Sequence, residues 1–127
     1  MNEPLSNSQG NTTMSEQEIH EFGIDIVRKY AEEKGYEILN GTTDIDLSPQ
    51  LVIGKENELY FVIIKTTASS GTYKTYDNSI MRMIKENAVN HNAKVLYAGV
   101  GIRSMTHGDH LVKNSPFMVN FKGFEEM

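Results

Sequence analysis

The side chains of this sequence that could do chemistry gather mainly in its second half and in one early turn. Lys65 closes the apolar run Leu59-Tyr60-Phe61-Val62-Ile63-Ile64. There it is either a functional amine or a strand-end lysine whose stem covers apolar surface. Tyr73-Lys74-Thr75-Tyr76, followed by Arg82 and Lys85, sets aromatics among cations. In a single-strand binder such residues stack bases and neutralise phosphates; otherwise they are a loop leading into a helix with a solvated basic face. Asp44 and Asp46 lie in a turn-rich stretch, where carboxylates can hold a hard cation or accept from local backbone N–H groups. Thr106-His107-Gly108-Asp109-His110 brings two imidazoles near a carboxylate. Without a third histidine or cysteine at a ligand spacing, it reads as a polar loop. His20 reads as a surface residue and His91 as a helix-end residue. Gly99-Val100-Gly101 has no helix N-terminus behind it, so it marks close packing or a strand end, not a phosphate loop.

The frame for these groups is small. A chain of 127 residues is one domain by length, and 39% hydrophobic with 23% charged residues is a globular composition. With no cysteine there is no disulfide framework, zinc-thiolate site or thiol nucleophile. No run approaches the roughly 18 apolar residues of a membrane helix, and the N-terminus lacks the basic and apolar regions of a secretory signal. The expectation is a soluble, cytoplasmic domain with no membrane partner. Its net charge is 12 − 17 = −5. Residues 1–58 hold 4 basic and 12 acidic side chains, and residues 59–127 hold 8 and 5, so the halves carry −8 and +3. Nucleic-acid binders usually need a basic footprint, and here only the second half offers one.

Residues 1–14, with three Asn, two Ser and two Thr, are expected to be a flexible leader, and residues 15–127 the domain. Ser15-Glu16-Gln17-Glu18 is a capping box. The stripe Ile19, Phe22, Gly23, Ile26, Val27, Tyr30 and Ala31 predicts a helix ended by Gly35. The period then drops to two. Tyr36–Leu39, Leu51–Gly54 and Leu59–Ile64 predict three strands, the last apolar on both faces and therefore central. Ala68–Asp77 predicts a loop, and Ser79–His91 a second helix burying Ile80, Met83, Ile84, Asn87 and Ala88. Ala93–Ile102 predicts a further strand, Arg103–Ser115 a loop and Phe117–Phe121 a possible edge strand. A hairpin of strands followed by a helical crossover implies an α/β fold, ordered αβββαβ, with a mixed sheet and helices on both faces.

That order, with Pro49 before the second strand and Lys65 closing the third, resembles the PD-(D/E)XK, or restriction-endonuclease-like, nuclease superfamily. Tyr30, Gly35, Tyr36, Ile38 and Leu39 resemble the helix-to-Gly-Tyr-strand opening of its small Holliday-junction-resolvase-like members. The resemblance covers about residues 16–102. It implies an Asp and a Glu holding a divalent cation, with a Lys two residues after the Glu orienting the attacking water. Aligned on Lys65, the glutamate position falls on Ile63. The aspartate position, next to Pro49, falls on Gln50. A helical glutamate found in some relatives falls on Ile24. An amide and an isoleucine cannot hold magnesium.

The sequence therefore points to a nuclease-like domain with a degenerate site that binds and does not cleave, and that needs no cofactor. Its binding candidates are Lys65, Tyr73, Lys74, Tyr76 and Arg82, and its partner a nucleic acid or a protein. The alternative is a divergent nuclease in which Asp44 or Asp46 holds Mg²⁺ beside Lys65; Glu18 and Glu21 read as dipole-favoured surface residues. A homodimer is also open, through the edge strand Phe117–Phe121 and exposed Met81 and Met105.

Overall fold

The computed structural model describes residues 13–44, 49–68, 78–106 and 111–127. Helix α1 spans Glu16–Glu33, and strands β1, β2 and β3 span Glu37–Gly41, Leu51–Lys55 and Glu58–Thr67. Helix α2 spans Asn78–Asn90, followed by β4 (Ala93–Ser104), β5 (Phe117–Phe121) and β6 (Glu125–Glu126).

Helix α1 starts where its chemistry dictates. The Ser15 hydroxyl accepts from the Glu18 N–H at 3.1 Å, and the Glu18 carboxylate accepts from the Ser15 N–H at 2.8 Å. It ends before Gly35, at φ +91°. Within the expected leader, Thr13 bridges Val112 and Met14 donates to the Leu111 carbonyl at 2.8 Å. Order among the described residues therefore begins at least two positions before Ser15.

The sheet runs β1-β2-β3-β4-β5, with β6 also on β4. β1–β2, β2–β3, β4–β5 and β4–β6 are antiparallel, and β3–β4 is parallel. The α2 crossover joins the parallel pair, so the protein is an α/β domain with a mixed six-stranded sheet and a helix on each face. Alternation along the strands divides the core. Val62 and Ile64 of β3 face α1, with Ile24, Val27, Ala31, Leu51, Ile53, Leu96, Val100 and Ile102. Phe61 and Ile63 face α2, with Met81, Ile84, Ala88, Val95 and Tyr97. β3 is thus covered on both sides.

Helix α2 buries Ile84 and Ala88 as expected, but Met81 in place of Ile80, Met83 and Asn87. Met81, Ile84 and Ala88 are buried, while Ile80 and Met83 are 48% and 68% exposed and Asn87 is exposed. Apolar residues cover more than one face of this helix, so contact with the sheet decides which of them is buried. Met81 is therefore no exposed methionine, whereas Met105 is, at 61%. Strand β4 runs on through Arg103 and Ser104, expected as loop, because β5 extends the ladder to Ser104↔Phe117. Gly99 and Gly101 accordingly lie inside a strand, not at its end.

β5 and β6 are one edge interrupted by a bulge. Phe121 pairs with Val100 and Glu125 with Tyr97, so residues 122–124 oppose only residues 98–99. Phe124 in that bulge stacks edge-on against Tyr30, Tyr36 and Phe121.

Candidate functional site

Positions 50 and 63 come together. The β2–β3 register begins at Leu51↔Val62, and Gln50, just before it, reaches the β3 backbone beside Ile63. Gln50 is 4% exposed, and its side-chain Oε1 accepts from the Ile64 N–H at 2.6 Å. Its own N–H donates to the Val62 carbonyl at 3.0 Å, and its carbonyl accepts from Thr42 at 2.9 Å. β2 begins only at Leu51, so the Gln50 side chain supplies the acceptor that a longer strand would have offered to the Ile64 N–H. Ile63 is 8% exposed in the cluster under α2, and Ile24 is 5% exposed in the opposite core. All three positions are structural.

Lys65 lies two residues beyond Ile63 and shares its face of β3. Parallel pairing aligns Lys65 with Gly99 and Thr67 with Gly101, and antiparallel pairing aligns Gly101 with Asn120 and Arg103 with Met118. These residues form a strip on the α2 side. Helix α2, with 13 residues, rises only about 20 Å, while 12-residue β4 runs about 40 Å. The helix therefore covers only the first half of β4, and the strip continues past its N-terminal end. Lys65 is half-buried and Arg103 exposed, and neither has an acidic partner among the described residues. Two glycines, Gly99 half-buried and Gly101 buried, lie on this face between the two cations. Arg103 is not among the sequence candidates, although the period-two series 95, 97, 99, 101, 103 places it on the face of Lys65.

The other candidates do not join this strip. Arg82 and Lys85, both exposed, line a shallow groove with Met127, which follows β6 on the far side of β4 from β3. Asp46, Tyr73, Lys74, Tyr76, His107, Asp109 and His110 lie outside the described residues. Asp44 is exposed and its N–H donates to the Thr42 hydroxyl at 3.1 Å. It lies beside His20 on the α1 side, whereas Lys65 faces α2. Glu18 is engaged by Lys113 at 2.7 Å and by its cap, which hold its carboxyl below the usual range. Glu21 accepts from Gln17. Among the described residues, no three His, Cys, Asp or Glu side chains are grouped to hold a metal ion.

His20 is a correction: it is 7% exposed, on the buried stripe with Gly23, Ile24, Val27 and Ala31. Its Nε2 and the Thr66 Oγ1 are buried and have no hydrogen-bond partner among the described residues. Burial pushes the imidazole pKa down, against the opposing pull of the Glu21 and Asp44 carboxylates and the Asp44 backbone. The folded state thus favours the neutral ring, and the unfolded chain takes up the proton first. This contribution to stability is intact above the ordinary histidine value, about 6.5, and is lost as pH falls from there toward the lower folded value. The urea midpoint should drop between about pH 7 and pH 5 in the wild type and drop less in His20→Leu. Parallel pH profiles would contradict the buried, neutral assignment.

The fold and site together define an α/β domain with a mixed sheet, in which Lys65 and Arg103 share the α2 face of the sheet beyond the N-terminal end of α2, with Ile63 inside β3 and Gln50 just before β2. The chain belongs to the family described as a domain of unknown function, DUF8840, which matches residues 17–127. No curated protein matches it. Among the described residues, no helix is long and apolar enough to cross a membrane.

Proposed function

We propose that this domain is a restriction-endonuclease-like scaffold that has lost metal-dependent phosphodiester hydrolysis and serves as a binding domain. The observation that carries the reading is the Gln50 side chain, 4% exposed and committed at 2.6 Å to the Ile64 N–H, with Ile63 packed in the α2 core. Metal-assisted hydrolysis needs carboxylate oxygens converging on open space. Here both positions carry uncharged side chains used for pairing and packing. The strip of Lys65, Thr67, Gly99, Gly101, Arg103 and Asn120 favours an extended polyanion, and single-stranded or branched nucleic acid is the ligand class its charge suits.

The test is fluorescence anisotropy of labelled single-stranded, duplex and branched DNA in Mg²⁺ or Mn²⁺, with the products run on a denaturing gel. Binding that weakens with salt, falls about tenfold in the Lys65→Glu, Arg103→Glu double variant, and leaves the DNA intact is expected. Cleavage abolished by Lys65→Ala would overturn the loss of hydrolysis. Absence of binding near physiological salt would overturn the nucleic-acid ligand and leave a protein partner.

A further inference from the structure

The edges of the sheet are protected unequally. At one edge, β1 carries Glu37 and a bulge between Ile38 and Asn40. At the other, the lower half is β6, Glu125-Glu126, reached through the 122–124 bulge. Carboxylates and bulges are what keep an edge from pairing with another strand. The upper half of that edge, β5, has neither. It reads Phe117-Met118-Val119-Asn120-Phe121, with no charge, proline or glycine, and ends the strand path among the described residues. Phe117, Met118 and Val119 are 45%, 53% and 41% exposed, and Met105 beside them is 61% exposed. Met105 donates to the Pro116 carbonyl at 3.0 Å, carrying the ladder past the strand. The strand is also held in place from behind. Phe117 packs edge-on against Phe22 at 4.8 Å and Phe121 against Tyr30 at 4.9 Å, so little ordering remains to be done on association.

We propose that β5 pairs antiparallel with β5 of a second copy of this chain, joining the two sheets across a two-fold axis at Val119. A two-fold contact must be complementary to itself, and this strand is. With Val119 on the axis, Phe117 stands opposite the second copy's Phe121, and Met118 opposite its Asn120. Aromatic and apolar cross-strand pairs of this kind stabilise a ladder, and no like charges meet. Lys122, the nearest cation along the strand, falls opposite Pro116 of the second copy. The two Lys122 residues are thereby about 20 Å apart, beyond the Debye length in physiological salt. A chain of net charge −5 can associate with itself along this segment because its carboxylates lie elsewhere.

Sedimentation equilibrium on the full chain tests this. The mass should rise from 14.3 kDa toward twice that value as concentration is raised from about 1 µM to about 100 µM. Val119→Lys and Val119→Glu should each raise the dissociation constant at least tenfold, since either places two like charges on the axis. Both variants should keep the wild-type circular dichroism and melting profile, because the side chain is partly exposed. A monomer at every concentration would overturn the proposal, as would a dimer untouched by both substitutions.

Discussion

Glutamate at position 63, the residue that a metal-holding strand would carry there, should cripple the fold. Ile63 is 8% exposed and packs with Phe61, Met81, Ile84, Ala88, Val95 and Tyr97. Ile63→Glu removes that contact and buries a carboxylate among apolar side chains, with Lys65 two residues along the same face as the nearest cation on the strand. Loss of a large aliphatic side chain costs about 2 to 5 kcal/mol, and desolvation of the buried charge adds to it. The carboxyl would respond by taking up a proton, so its folded pKa would rise above the unfolded value near 4.3. The charge penalty therefore applies above that value and grows with pH until the folded pKa is passed. Urea denaturation at pH 8 should show a loss of at least about 3 kcal/mol, relieved in part near pH 5. A variant as stable as the wild type at pH 8 would mean that position 63 faces open space.

The second large effect is Gly23→Ala. In an exposed helix interior this change would stabilise by about 1 kcal/mol. Here a Cβ at position 23 would lie 1.8 Å from Thr66 Oγ1, 2.7 Å from Thr66 Cβ and 2.8 Å from its Cγ2. Thr66 belongs to a central strand, and its β-branched side chain has few rotamers to move into. Helix α1 must move off β3, disturbing the layer that includes Ile24, Val27, Val62 and Ile64. Overpacking of this kind costs about 1 to 3 kcal/mol, which outweighs the gain in helix propensity. The sign is the diagnostic: denaturation should show Gly23→Ala destabilised. Adding Thr66→Ala should recover part of the loss, because it removes Oγ1 and Cγ2 but leaves the Cβ. Stabilisation by Gly23→Ala alone would contradict the close approach of α1 to β3.

What could be read from the residues was local or periodic. Ser15 with Glu18 announces the start of α1, and Gly35 its end, because caps are satisfied within one turn. The unbroken apolar run of β3 announces a strand covered on both faces. The uncharged segment 117–121 gives β5 its limits. What could not be read depends on tertiary partners. The phase of α2 is ambiguous because Ile80, Met81, Met83 and Ile84 offer two apolar faces, and only the sheet selects Met81 with Ile84. β6 is two glutamates with no strand signature, aligned by backbone pairing after a bulge. Burial of His20 was legible in the stripe it shares with Gly23 and Ile24, but its polar type argued for the surface. At the candidate site, the identities of residues 50 and 63 speak against metal chemistry from sequence alone. The use made of Gln50, an acceptor for Ile64 where β2 departs, is a contact across 14 residues that no spacing announces.

Metal binding tests the central claim most directly. Isothermal titration of the wild-type chain with Mg²⁺ and then Mn²⁺, carried to about 10 mM, should give heats of dilution only, since neither Gln50 nor Ile63 offers a carboxylate. A saturable isotherm at micromolar to low millimolar metal, accompanied by cleavage of DNA that Lys65→Ala abolishes, would contradict it.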